Sequence, residues 1–144
     1  MVYQKTKWGY ILRCEIGEEI INTLMAFALK LDIKFAQVVA IGATNDIILG
    51  SFKPGKKVYQ ERHLTSDYEI CSLTGNMARL NNEPILHLHA TIADENFNCL
   101  GGHLNRAVVS ATCEIMLYCS DDPVIRSFDN DSKLTLLDLD SEMS

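Results

Sequence analysis

Apolar residues at Ile20, Leu24, Phe27 and Leu31 are spaced by four, three and four. That interval lays one stripe along a helix, and it predicts a helix over Glu18–Leu31. Glu18 and Glu19 would then occupy the first turn, where the helix dipole favours negative charge. Gly17 separates this helix from Tyr10–Cys14 (YILRC), which reads as a strand. After Leu31 the period drops to two, the strand repeat. Phe35–Ile41 (FAQVVAI) predicts a strand ended by Gly42. Asp46–Phe52 and Lys57–His63 flank Pro54-Gly55, a turn dipeptide, and predict a hairpin. Tyr68–Thr74 is a further strand, closed by Gly75-Asn76, and Ile85–Ala93 begins another just after Pro84. Ala107–Cys119 is long and rich in β-branched residues. Leu134, Leu136 and Leu139 predict a last edge strand within 130–144, an acidic tail expected to fray.

One early helix followed by many strands predicts an α+β fold: a central, mainly antiparallel sheet with one principal helix packed on one face. A single helix cannot cover both faces of such a sheet, which leaves the other face for a second subunit. The 144 residues fit one domain over 1–144, with an ordered core over roughly 10–139.

Composition narrows the setting. Hydrophobic residues make up 47% and charged residues 22%, a soluble balance. No run approaches the roughly 18 apolar residues of a membrane span, and MVYQKTKWGY lacks the apolar core of a signal peptide. Five cysteines, an odd number without a CxxC, do not form a secreted disulfide framework. A reducing, cytoplasmic setting without membrane contact is expected. The formal net charge of −6 argues against a general polyanion binder, because nucleic-acid affinity rests first on neutralised phosphates.

The chemistry concentrates in HLHATIADENFNCLGGH, His87 to His103, which holds three of the four histidines. On a strand, residues i and i+2 share a face about 6.6 Å apart, so His87 and His89 project together. Gly101-Gly102 permits a tight reversal or a close backbone approach that would bring His103 beside them. Three imidazoles and an open position suit a zinc-type site that binds a ligand or activates water. The plain alternative is two exposed histidines on a strand and a glycine turn.

These stretches carry a resemblance. LRCEIGEEI (12–20), VVAIGATNDIILGSF (38–52), EICSLTGN (69–76), PILHLHATIAD (84–94) and GGHLNRAVVSATCEI (101–115) resemble the plants-and-prokaryotes-conserved (PPC) domain family. HLHA followed by GGHL is the most specific part. The resemblance implies a trimeric α+β domain of stand-alone prokaryotic type. It also implies a metal-type site on the HxH and GGH histidines, as in some prokaryotic members. Plant members carry an AT-hook before the domain, act in the nucleus on transcription, and use the domain for assembly and partner contacts. Prokaryotic members are often labelled DNA-binding by analogy. This chain departs from the pattern in three places. Met1–Gly9 contains no AT-hook, Asp67 stands where the plant motif has arginine, and Asn96 stands in the HLHA-to-GGHL loop where glycine is common.

Other candidates accompany the histidines. Glu69 could serve as a general base toward a metal-activated water, or be a solvated strand residue. Arg13 could hold a carboxylate or phosphate through its planar fork, or form a structural ion pair. Asn76 could line the same pocket or only shape a turn. Lys53, Lys56 and Lys57, with Arg62, make the hairpin locally basic. They could contact phosphates, or only guard a sheet edge. His63 has no evident partner.

Two classes of function follow. One is a homotrimeric metal-binding or regulatory module, associated with DNA or a DNA-binding partner. The other is a metal-dependent enzyme that uses a metal-bound water on a small substrate. The missing AT-hook and the negative charge weigh against the first, and the lack of a nucleophile or cofactor motif weighs against the second. A divalent transition metal, zinc before others, is the expected cofactor.

Overall fold

The computed structural model describes residues 1–53, 55 and 58–139. Its elements are β1 (Val2–Thr6), β2 (Gly9–Cys14), α1 (Ile20–Leu31), β3 (Phe35–Lys53), β4 (Val58–Leu64), β5 (Tyr68–Leu80), β6 (Glu83–Ala93), β7 (Cys99–Ser120), β8 (Ile125–Asp129) and β9 (Leu134–Asp138). The sheet runs β1-β2-β7-β3-β5-β8-β9, with β4 on β3 and β6 bridging β5 and β7. The long strands thereby pair in a ring, β3 with β5, β5 with β6, β6 with β7, and β7 with β3. Every pairing is antiparallel except a single parallel contact of β5 with β8 at Arg79 and Ile125. No described helix is long and apolar enough to cross a membrane.

The helix is α1, as its spacing requires. Ile20, Leu24, Phe27 and Ala28 are buried against the sheet. Its start differs from expectation, because neither glutamate lies in the first turn. Glu19 is the cap itself, accepting from the backbone N–H groups of Ile21 and Asn22. The same carboxylate accepts from the N–H of Ala107 and so ties the helix to β7. Glu18 lies outside and accepts from the N–H of Glu15. At the other end Asp32 adopts a left-handed conformation, with φ of 51°.

Several sequence breaks proved not to be breaks. Phe35–Ile41 and Asp46–Phe52 are one strand, β3, and its register slips where Gly42 and Thr44 stand. Gly75-Asn76 does not close a strand either, since β5 continues to Leu80. Gly75 answers a steric need: a Cβ there would lie 1.9 Å from the His87 carbonyl oxygen. Glycine lets β5 press against β6 directly behind a histidine. Strands β1 and β8 carry too little periodicity to be read from sequence. Leu134 and Leu136 do form the last strand, β9, while 140–144 lie outside the described residues.

The core fills the helix side of the sheet. Leu12, Val38, Leu73, Leu88, Ile92, Ile115 and Leu117 are fully buried there. Along β6, Leu88 and Ala90 point into it, so His87 and His89 point the other way. The fold thus commits the histidines to the face that α1 does not cover.

Gly75→Ala tests this packing. The added methyl must displace the β6 backbone, at a cost of about 1–3 kcal/mol. Urea unfolding is expected to show that loss, and backbone NMR shifts are expected to concentrate around His87.

Candidate metal centre

The site is assembled by alternation and register. His87 and His89 come from one face of β6, and His89 is the direct antiparallel partner of His103 on β7. The ring centroids of the three histidines are 5.1–5.4 Å apart. One nitrogen from each lies within 4.8 Å of the others.

His103 arrives by a route the glycines do not provide. Gly101-Gly102 is no reversal, because both residues lie inside β7. The chain turns earlier, between Asp94 and Asn98. The Asp94 carboxylate accepts from the backbone N–H groups of Asn96 and Asn98 and from the Asn98 side chain. Phe97 takes a positive φ of 62° there. Asn96 is therefore accommodated by its backbone bond to Asp94, with no need of glycine. Gly102 serves close approach instead, since a Cβ would sit 2.6 Å from the Gly50 carbonyl. Without that approach β3 could not flank the histidines.

The triad opens into a cavity of about 500 Å³. Its walls are mostly apolar: Phe52 and Tyr59 from β3 and β4, Ile85 and Leu86 from β6, and Leu134 and Leu136 from β9. The polar wall is the three histidines and Arg126 of β8, with Ser51 and Thr135. No carboxylate occurs among the described residues that line it. Burial, followed by the charge of Arg126 and the neighbouring imidazoles, holds His87 below its ordinary pKa. Burial, then His89 and Arg126, does the same for His103. Both rings are biased toward the neutral form that ligates metals.

A neutral imidazole has a single accepting nitrogen. Arg126 Nη2 stands 3.3 Å from His87 Nδ1 and donates to Asn76 Oδ1 at 2.8 Å. Asn76, directly across from His87 in the β5–β6 register, therefore positions the arginine and is not itself part of the cavity wall.

The remaining candidates are dispersed. Glu69 pairs with Ala43 and Ala93 near the β6–β7 turn, at the opposite end of β5 from Asn76, and the structure does not bring it to the histidines. Arg13 pairs with Glu114 and lines a separate depression with Tyr3 and Ile11. Lys53 is exposed at the end of β3, whereas Lys56 and Lys57 lie outside the described residues. His63 does have a partner, Asp46 Oδ1 at 2.7 Å. Sequence reasoning missed Arg126 and Tyr59, and read Leu134 and Leu136 as a strand without placing them at the site. The only available signal was the alternation of LTLL after IRSF, a hairpin pattern across DNDSK.

The donor set fits a divalent metal. Tetrahedral zinc places imidazole nitrogens about 3.4 Å apart, so the three rings need only small rotations inward. Imidazole also suits nickel, copper and iron.

Comparison with known proteins agrees with this architecture. A candidate DNA-binding protein from Bacteroides thetaiotaomicron superposes with a TM-score of 0.92 at 29% identity, covering 95% of this chain and 96% of that one. A plant- and prokaryote-conserved (PPC) protein from Pyrococcus horikoshii gives 0.84 at 28%, covering 96% and 95%. A metal-containing protein from Archaeoglobus fulgidus gives 0.83 at 29%, covering 94% and 96%. No curated protein matches the chain. The pattern of the Plants and Prokaryotes Conserved domain matches residues 1–119, and the chain belongs to that family.

Proposed function

We propose that this protein is a homotrimeric metal-binding module whose His87, His89 and His103 hold one divalent transition metal, zinc before others, at the floor of a ligand chamber. The convergence of three imidazoles into one cavity carries this reading. The similarity to a metal-containing protein from Archaeoglobus fulgidus supports it. A metal held there by His87, His89 and His103 would supply a Lewis-acidic centre. The chain's own residues supply the rest. His87 and His89 are oriented by β6, His103 by its pairing with His89, and the apolar walls restrict water. A hydrolytic role is less well supported, because no described lining residue can act as a carboxylate base and Glu69 lies elsewhere.

Assembly is supported by the face opposite α1. Ile11 on β2, Ile41 on β3 and Tyr118 on β7 share that face by alternation and register. They are 42%, 55% and 43% exposed. Trp8 stacks on Tyr118 at 4.5 Å and extends the patch. Exposed apolar side chains gathered on one sheet face, here interspersed with Arg13, Gln37 and Glu114, suit an interface.

DNA association is a second reading, favoured by the description of the Bacteroides relative. The basic hairpin at Lys53, Lys56 and Lys57 is its contact candidate. The net charge of −6, multiplied by assembly, opposes it. Binding of a labelled duplex is expected to be weak and to vanish between about 50 and 200 mM salt. A tight complex surviving at the higher salt would establish the DNA reading, and charge reversal at the three lysines would then locate it.

Metal analysis by mass spectrometry is expected to find one zinc-type ion per chain. His89→Ala should remove most of it while leaving the thermal transition of metal-free protein within a few degrees. Equal metal in that variant and the parent would refute the centre. Light scattering at micromolar concentration is expected to give three chains, and a stable monomer would refute the assembly.

Metal-free protein should also lose stability as pH falls. With His87 and His103 held below the ordinary 6.5, the unfolded chain binds more protons than the folded one once pH drops under that value. Stability is therefore full above about pH 6.5 and declines as pH falls through the lowered folded values. Urea melts of chelator-treated protein from about pH 7.5 to about pH 5 measure the slope. The double variant His87→Gln, His103→Gln should flatten it.

A further inference from the structure

Two arginines are buried among the described residues, and they are treated differently. Arg79 faces the Asp32 carboxylate at 3.0 Å and also donates to the carbonyls of Ile33 and Asn82. Arg126 is only 7% exposed, yet it has no carboxylate within ion-pair distance among the described residues. Its Nη1 donates to the Thr135 carbonyl and its Nη2 to Asn76. Its Nε, like that of Arg79, makes no bond. A buried guanidinium without a counter-charge is costly. Here it also stands beside three imidazoles, in a wall whose described residues include no acid.

The contact with His87 sharpens the point. Arg126 Nη2 can bond Nδ1 only by using the lone pair of that ring. A metal ligated by His87 claims the same lone pair and leaves the other nitrogen carrying a proton. Metal loading and the Arg126–His87 bond therefore exclude one another. Loading would free an arginine donor and add positive charge to a chamber whose described walls carry no carboxylate.

We infer that the chamber is the binding site of a small organic monocarboxylate, with its carboxylate held between Arg126 and the metal and its apolar body against Phe52, Leu134 and Leu136. The inference rests on the metal reading above. A volume of about 500 Å³ falls in the small-ligand range. One planar guanidinium matches one carboxylate, whereas the described residues that line the cavity offer a phosphate no lysine and no second arginine. Arg126, Leu134 and Leu136 all lie on the β8–β9 hairpin, beyond the residues that match the family pattern. The anion anchor and part of the apolar wall thus come from outside that pattern.

Calorimetric titration of zinc-loaded protein with butyrate and with butyramide, its neutral analogue, tests this. Butyrate should bind at least about tenfold more tightly than butyramide. Arg126→Gln should weaken butyrate binding by a similar factor with zinc content, measured by mass spectrometry, unchanged. Arg126→Lys should retain an intermediate affinity. Equal affinity for the two ligands, or an unaffected Arg126→Gln protein, would overturn the inference. Full zinc with no butyrate binding would overturn it while leaving the metal centre standing. Absence of zinc from the parent protein would instead overturn the metal centre. Titration of metal-free protein then decides the arginine: binding lost in Arg126→Gln supports the anion site, and no binding overturns it. Should Arg126→Gln not fold by circular dichroism, Arg126→Lys and the butyramide comparison decide.

Discussion

The antiparallel register of β6 against β7, which sets His89 opposite His103, is the constraint on which the rest depends. A slip of one residue would turn every β6 side chain over, sending His87 and His89 into the core and Leu88 and Ala90 into the cavity. Two features oppose that slip. Buried Leu88, Ala90 and Ile92 fix which edge of β6 faces inward. The Asp94 carboxylate closes the connecting turn by bonding Asn96 and Asn98, so the number of residues in the reversal is set. The histidines follow from these two choices and make no contribution of their own to the register.

The two faces of the sheet then divide the work. One face is filled by α1, whose cap at Glu19 is also bonded to β7. That link couples the helix to the strand that carries His103. The other face carries the triad, roofed by β8 and β9. Close backbone approaches at Gly75 and Gly102 bring neighbouring strands up to the histidines from both sides. A rigid sheet rather than a loop therefore presents the donors, which suits a site that must keep three rings convergent.

The helix, the β3–β4 hairpin and the HxH pairing were legible in the sequence because each rests on local periodicity. The helix stripe and the strand alternation have no competing reading at Leu24 or Leu88. The glycines were misread for a physical reason. Glycine permits a turn, but it equally permits close approach inside a strand, and only the partner strand decides which. Gly75 and Gly101-Gly102 therefore read as ends where the structure has continuous strands. The arginine of the site was invisible for a different reason. Arg126 is one charge in a short strand far along the chain from His87, and nothing local says that Asn76 will draw it under cover. The family resemblance strengthened the reading of the histidines and the fold that spacing had given, but not this residue, which lies beyond residues 1–119.

That hidden arginine changes the energetic meaning of the site. Three imidazoles and a guanidinium share one partly closed, mostly apolar cavity, and burial pushes two of the imidazoles toward neutrality. Such a cluster is costly in the empty fold, since Arg126 is desolvated with no carboxylate at ion-pair distance among the described residues. Neutral rings limit the cost, but they also present lone pairs, and those are what a divalent metal requires. A metal bound there, as proposed, would restore positive charge, and an anion would then complete the set. Any ligand that binds the folded chain alone stabilises it in proportion to the logarithm of its concentration over its dissociation constant. Occupation by the proposed metal and anion would therefore offset the cost of burying Arg126. Under the proposed reading, metal and carboxylate would favour one another: a metal held by His87 would use the lone pair that Arg126 now contacts, and the freed guanidinium could then pair with the carboxylate.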